Sequence, residues 1–456
     1  MEPTSQPTSG KTSPNPTDSN GKPKVLGLVF LTVFLDMVGF SIIFPLFPDM
    51  LEWYVAKEGA ASSIGRLATW LQGLVTDDFA VIVLFGGILG SLYSGLQFLF
   101  APVWGAISDK IGRRPTLLFT LFGTALSYVV WFFAGTFALL VTARLLGGMM
   151  AGNISTASAA IADTHAGKDR AKGMGMLGAG IGLGFVVGPA LGGFAAGLDL
   201  TGSWDGAASM GVNPFSGAAA IAFGLAVLNL LWGVMRFPET KAMGAAAGPS
   251  EHRRGINPFA ALRRLAFPGV HTLNIAYLIY FIAFGAMEFT LVFLAAQHLD
   301  YGPRQNAYMF VFIGLTIAFV QGGIVRRLVP KVGEKKVATL GVMLTVPGFI
   351  GIAMVTRLES TALLYASLAL VSIGSSLVMP SFSSLASRYV PDDRQGFALG
   401  VFRSFGSLAR VIGPIAGGLL YYGLGSYAPY ALGAVVLLIP VLMAAKLPQP
   451  TVGVPE

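Results

Sequence analysis

The sequence predicts an all-α integral membrane protein, with twelve transmembrane helices arranged in two pseudo-symmetric six-helix bundles. Three observations carry this. Of 456 residues, 54% are hydrophobic and only 11% charged, against roughly 25% charged in a typical soluble domain. Twelve apolar stretches reach the ~20 residues that a helix needs to cross a bilayer. A Gly-Pro motif near the middle of the chain recurs 225 residues later, so the second half repeats the first.

The predicted elements follow in order. Residues 1–23, rich in Pro, Ser, Thr and Asn, bury too little apolar surface to offset ordering and read as a disordered cytoplasmic tail. The apolar run from Val25 exceeds a signal-peptide core and reads as a retained first span. The spans are expected at 25–48, 80–104, 116–134, 137–161, 173–197 and 217–236, then 271–297, 306–328, 337–356, 362–385, 397–423 and 427–446. The domains are thus an N-terminal bundle (24–237), a cytoplasmic linker (238–268) with Arg253, Arg254, Arg263 and Arg264, a C-terminal bundle (269–447) and a tail (448–456). The first outward loop carries Ile64, Leu67, Leu71, Leu74 and Val75 at helical spacing, with Trp53, Tyr54 and Trp70 nearby. It reads either as a short helix on the outer interface or as a packed loop.

Charge placement sets orientation. Among thirty Lys/Arg, only Lys57, Arg66, Arg304 and Arg357 fall in odd-numbered connections, and Arg144, Arg403 and Arg410 lie inside spans. The rest flank the even-numbered connections and the tails, which puts both termini in the cytoplasm by the positive-inside rule. The same distribution explains the net charge of +8 without a nucleic-acid partner, since no contiguous basic surface or binding motif exists. The absence of cysteine excludes disulfides and thiolate sites. His165, His252, His271 and His298 lack ligand spacing, so neither metal, cofactor nor enzymatic chemistry is expected.

Charged residues inside spans are costly and mark pathways. Asp36, Arg144, Glu288, Arg403 and Arg410 are therefore the candidates for a central cavity and for proton coupling, with Asp36–Arg144 the preferred pair and Glu288–Arg410 the second. Tyr277, Phe281 and Phe284 share the helical face of Glu288 and form either a substrate pocket or a packing surface. Ser372, Ser375, Ser376 and Ser383 in the tenth span read as bonding their own backbone.

Between spans two and three stands Gly105-Ala-Ile-Ser108-Asp109-Lys110-Ile-Gly112-Arg113-Arg114-Pro115. Span five carries Gly175, Gly184, Gly188-Pro189 and Gly192-Gly193, and Gly413-Pro414 with Gly417-Gly418 repeats its end, Ala409 standing in the slot of Gly184. Asp169-Arg170 recurs as Asp393-Arg394 at an offset of 224. Span one reads Leu35-Asp36-Met-Val-Gly39 through Pro45 and Pro48, and span four has Arg144-Leu-Leu-Gly147-Gly148. Together these resemble the major facilitator superfamily, in its twelve-helix, tetracycline-efflux-like drug:proton antiporter branch. In the second half the loop motif keeps Gly323, Arg326, Arg327, Lys331, Gly333 and Lys336 but lacks its aspartate.

The resemblance implies a gate in which Asp109 faces the eleventh span, Arg113 meets Asp163, and the two halves are held together on the inner side. It implies a secondary active transporter in the plasma (inner) membrane, exporting a small organic or drug-like solute in exchange for protons as a functional monomer. A symporter or uniporter shares the fold and the charges, and only the span-five glycines argue against it. A membrane sensor and a membrane-embedded enzyme are the other classes weighed.

Overall fold

The computed structural model describes residues 25–74, 78–165, 167–240, 262–263, 265–391 and 395–449. The predicted N-terminal tail, residues 450–456 of the C-terminal tail, most of the linker, Val75 and Asp393-Arg394 lie outside the described residues. Among those described, every long element is helical, and the helices fall into two bundles.

The first bundle holds α1 (Val25–Ser41), α2 (Phe47–Glu58), α3 (Ser63–Leu74), α4 (Asp78–Ile111), α5 (Arg113–Phe132), α6 (Phe137–Met150), α7 (Asn153–Thr164), α8 (Gly167–Ala195) and α9 (Ser216–Arg236). The second holds α10 (Val270–Leu299), α11 (Pro303–Phe319), α12 (Arg326–Val332), α13 (Glu334–Leu358), α14 (Thr361–Arg388), α15 (Gln395–Leu424) and α16 (Ala428–Lys446). Among the described residues, ten segments are long and apolar enough to cross a membrane, and Phe85–Ala101 with Val103–Ile111, bent by 40°, makes an eleventh. The 30-residue α15, interrupted by Arg403 and Arg410, occupies the remaining predicted place.

Apolar side chains point outward as well as inward: Met235, Leu315 and Phe319 are 69%, 67% and 73% exposed. Such a surface matches hydrocarbon, with backbone hydrogen bonds satisfied inside each helix.

Three spans depart from the uninterrupted helices that the sequence suggests. The first bends through a 3₁₀ turn at Phe44–Leu46, where Pro45 and Pro48 remove amide donors, and continues as α2 to Glu58. The fourth breaks at Ala151-Gly152, so α6 and α7 are separate helices. The break is built in: a Cβ on Gly152 would collide with the Trp104 ring, whose indole N–H donates to Met149 O at 2.7 Å. The eighth widens into a π turn at Val320–Val325 between α11 and α12.

The outward-loop helix forms as α3, but Ile64 and Leu71 are buried, so its apolar face packs on protein, while Trp70, 59% exposed, faces away. Tyr54 is buried and donates to Ala134 O at 2.5 Å.

Within the bundles α1 lies along α8 and α10 along α15; between them α8 meets α11 and α4 meets α15. Gly193 packs on Pro303 and Ala307 of the other half, Gly86 on Phe293, and Phe194 on Tyr308 with ring centroids 5.6 Å apart. These contacts close the end away from Arg113.

Candidate functional site

The buried acid of the first half sits where α1, α5 and the broken fourth span meet. Asp36 Oδ1 accepts from Asn153 Nδ2 at 2.9 Å, and the Asn153 carbonyl in turn accepts the Thr120 hydroxyl. The break positions this asparagine as the first residue of α7. Asp36 Oδ2 has no hydrogen-bond partner among the described residues.

Arg144, the expected partner, makes no ion pair with Asp36. Its guanidinium carbon lies 4.5 Å from the Tyr93 ring centroid and 5.5 Å from that of Phe40, and its Nε and Nη2 have no hydrogen-bond partner among the described residues. The aromatic faces take the cation that the sequence reading gave to the carboxylate. The hydroxyls of Tyr93 and Tyr128 close the same cluster, likewise without hydrogen-bond partners.

In the second half Glu288 and Arg410 feel each other's charge but form no ion pair within 4.0 Å among the described residues. Arg410 donates from Nη2 to the Ser407 hydroxyl at 3.1 Å and lies 6.0 Å from the Phe185 ring centroid. Phe185 belongs to the first half and packs edge-on against Phe40 at 5.5 Å. The order Arg144, Phe40, Phe185, Arg410 thus runs across the interface of the halves, with two aromatic rings between two cations. Arg403 lies seven residues, about two helical turns, further toward the inner end, near Gly178.

Tyr277 is buried between Phe402 and Phe281, at ring centroid distances of 3.8 and 4.5 Å, and Phe284 stacks on Tyr280 at 6.2 Å. Of the three stripe residues, Tyr277 packs on α15 through Phe402, while Phe281 and Phe284 are half-buried and meet rings of their own helix. Of the serines of the tenth span, Ser375 and Ser376 both donate to the carbonyl of Ser372.

At the inner end Arg113 spends every side-chain nitrogen. Nε donates to Asp163 Oδ2 at 2.6 Å and Nη2 to Asp163 Oδ1 at 3.3 Å, while Nη1 donates to the Ser108 hydroxyl at 2.7 Å and pairs with Asp109. Gly112, at φ 109°, supplies the left-handed turn that brings Asp109 back under Arg113. Glu239, unnoticed in the sequence, caps α5: its carboxylate accepts the backbone N–H groups of Arg113 at 2.9 Å and Arg114 at 3.2 Å. An anion at a helix N-terminus meets both unpaired donors and the dipole. Arg114 adds a bond to Val234 O at 2.7 Å.

The network corrects one expectation. All of these partners belong to the first half or to the end of its last span, so Arg113 does not itself join the halves. The expected approach of Asp109 to the start of the eleventh span falls on residues 392–397, whose side chains lie outside those described. Gly105 lies in the last turns of α4, as the turn requires.

The span-five glycines serve close packing. A Cβ on Gly184 would meet Met37 and the Phe34 carbonyl; on Gly188, Ser41 and Val38 O; on Gly192, Ile42 O and Pro45. Ser41 donates to Gly184 O at 3.1 Å across the same contact. Pro189 is inside α8, and Gly175 lies nearer its start. The repeat reproduces this: Gly413 and Gly417 press on Gly285 and Ala286 of α10.

Comparison with known proteins agrees with this architecture. The family model described as Major Facilitator Superfamily matches residues 29–414 and 327–455. Human "Major facilitator superfamily domain-containing protein 10" is 33% identical over 448 residues, covering 94% of each chain. "Tetracycline resistance protein, class C" of Escherichia coli is 29% identical over 395 residues, covering 84% of this chain and 86% of its own. The crystal structure titled "human organic anion transporter MFSD10 (TETRAN)" superposes with a TM-score of 0.71 at 32% identity, covering 92% of this chain and 98% of that one. A transporter, rather than an enzyme, is therefore what these helices build, and the chain belongs to the major facilitator superfamily.

Proposed function

We propose that this chain is a proton-coupled antiporter for an organic anion, lying in the plasma (inner) membrane with both termini cytoplasmic. The observation that carries the coupling is Asp36. It is a buried carboxyl held by an amide, with one oxygen unengaged and no cation within ion-pair distance among the described residues. Such a group takes and releases a proton without an ion pair having to break, and alternating exposure of that site converts a proton gradient into solute movement through linkage.

The cargo reading rests on the cations. Arg144 has unspent donors on one side of the Phe40–Phe185 contact, and Arg410 faces it from the other half. Two guanidiniums separated by aromatic rings suit an amphipathic carboxylate or sulfonate, which supplies paired acceptors and an apolar body. The similar human protein of known structure, described as an organic anion transporter, supports the same class. Tetracycline-resistance relatives support export as the direction.

The test is transport in proteoliposomes of purified protein loaded with a fluorescent aromatic carboxylate. An imposed pH gradient is expected to drive it against its concentration gradient, with protons moving the opposite way. Protons moving with the solute would establish symport, gradient-independent equilibration a uniporter, and absence of flux a sensor; each overturns this reading.

A further inference from the structure

The seam between α13 and α16 faces lipid and carries two grooves that neither the buried charges nor the Arg113 network uses. One, of about 290 Å³, lies at the end that holds Glu334 and is lined by Lys335, Lys336, Thr339, Leu340, Met343 and Ala445. The other, of about 430 Å³, runs over Val346, Ile350, Met354 and Val435 to Arg357 and Tyr427 at the opposite end. From Lys335 to Arg357 is 22 helical steps, about 33 Å at 1.5 Å each, close to the ~30 Å hydrocarbon thickness of a bilayer. The cations of the two grooves therefore stand at the two headgroup levels.

The first groove has the chemistry of a headgroup site. Lys336, Leu340 and Met343 follow one another at i, i+4 and i+7, so a cation is followed along one helical face by apolar side chains that are 43% and 53% exposed. Lys335 and Thr339 flank that stripe, and the last turn of α16 adds Ala445 and then Lys446. The one acid beside them is already engaged: Glu334 accepts from Arg388 Nη1 at 2.6 Å and from the Ser384 hydroxyl at 3.2 Å, both on α14. Neither Lys335 nor Lys336 has an acidic partner among the described residues. Two uncompensated ammonium groups above an apolar channel match a phosphate with acyl chains below it. The opposite groove has a single cation.

We propose that the Lys335–Lys336 groove binds one anionic phospholipid, its phosphate between the two ammonium groups and an acyl chain along Leu340 and Met343. Basic recesses between membrane helices at the headgroup level favour acidic lipids by about 1 kcal/mol per Lys or Arg, so two lysines give a preference of at least tenfold over a zwitterionic lipid of the same chains. The inference does not depend on proton coupling or on the identity of the cargo.

Native mass spectrometry of the delipidated, purified full-length protein tests it, by titration with phosphatidylglycerol and with phosphatidylcholine of matched chains. One phosphatidylglycerol is expected to be retained about tenfold better than phosphatidylcholine. K335Q/K336Q is expected to abolish that preference, R357Q to leave it intact, and Leu340→Trp, which fills the acyl channel and spares both lysines, to weaken retention of both lipids. Undiminished preference in K335Q/K336Q overturns the proposal. So does displacement of the lipid by millimolar inorganic phosphate, which would make this a soluble-anion site, or unchanged lipid retention in Leu340→Trp.

Discussion

The two halves tie the same pair of helix ends with opposite polarity. In the first, Arg113 opens α5 and binds Asp163 at the end of α7; in the second, Glu334 opens α13 and binds Arg388 at the end of α14. Both openings follow a glycine with positive φ, Gly112 at 109° and Gly333 at 86°. The duplicated fold has thus kept the contact while exchanging which side carries the cation. The environments differ: Arg113 is 8% exposed and surrounded by three carboxylates, whereas Arg388 is 37% exposed with one. A pair in that second setting is screened and contributes little, while breaking a buried one leaves a desolvated charge.

Removing function from one half only would sharpen this contrast most. Asp36→Asn is expected to abolish gradient-driven movement in proteoliposomes, with insertion and folding intact, while Glu288→Gln retains it. The reverse result would move coupling to the second half. Next in size is the polarity exchange. R113E/D163R should lose about 3 kcal/mol of stability or more, because Glu at 113 would face Asp109 and Glu239; E334R/R388E should cost about 1 kcal/mol or less. Thermal denaturation in detergent reads both, and equal losses would show that the two networks are equivalent.

The glycine seams give a smaller effect. Gly192→Ala drives a methyl into the Ile42 carbonyl, whereas Gly413→Ala meets Ala286 N and the Gly285 backbone at 3.1 Å. Overpacking of the first kind costs about 1–3 kcal/mol, so Gly192→Ala should lower the melting temperature more than Gly413→Ala. Smallest is Asp109→Asn. Asp109 is 48% exposed and only one of the acceptors around Arg113, so turnover should fall severalfold with substrate affinity unchanged. Weakened binding at unchanged turnover would relocate Asp109 to the substrate path.

The repeat, the apolar spans and the Arg113–Asp163 contact were legible because each is written as a spacing. The pairing of Asp36 was not. Its partner Asn153 carries no charge to flag it, and it reaches Asp36 only because Gly152 and Trp104 break a stretch that reads as one apolar span. Arg144 misled for a related reason: sequence shows opposite charges, not the rings of Phe40 and Tyr93 that claim the guanidinium first. Glu239 escaped notice at the edge of a polar linker, where an acid is unremarkable until the helix end it caps is seen. The buried site is also where the simple rules are violated, with polar atoms left unsatisfied inside hydrocarbon, as expected of positions kept for activity.

The break in the fourth span has a mechanical consequence. It leaves α7 as a separate rod, with Asn153 at one end gripping Asp36 and Asp163, ten steps or about 15 Å further along, gripping Arg113. α7 follows α6 through the two-residue break at Ala151-Gly152. One short helix therefore joins the residue that holds Asp36 to the residue that holds Arg113, and a rigid-body shift of α7 would move both contacts together.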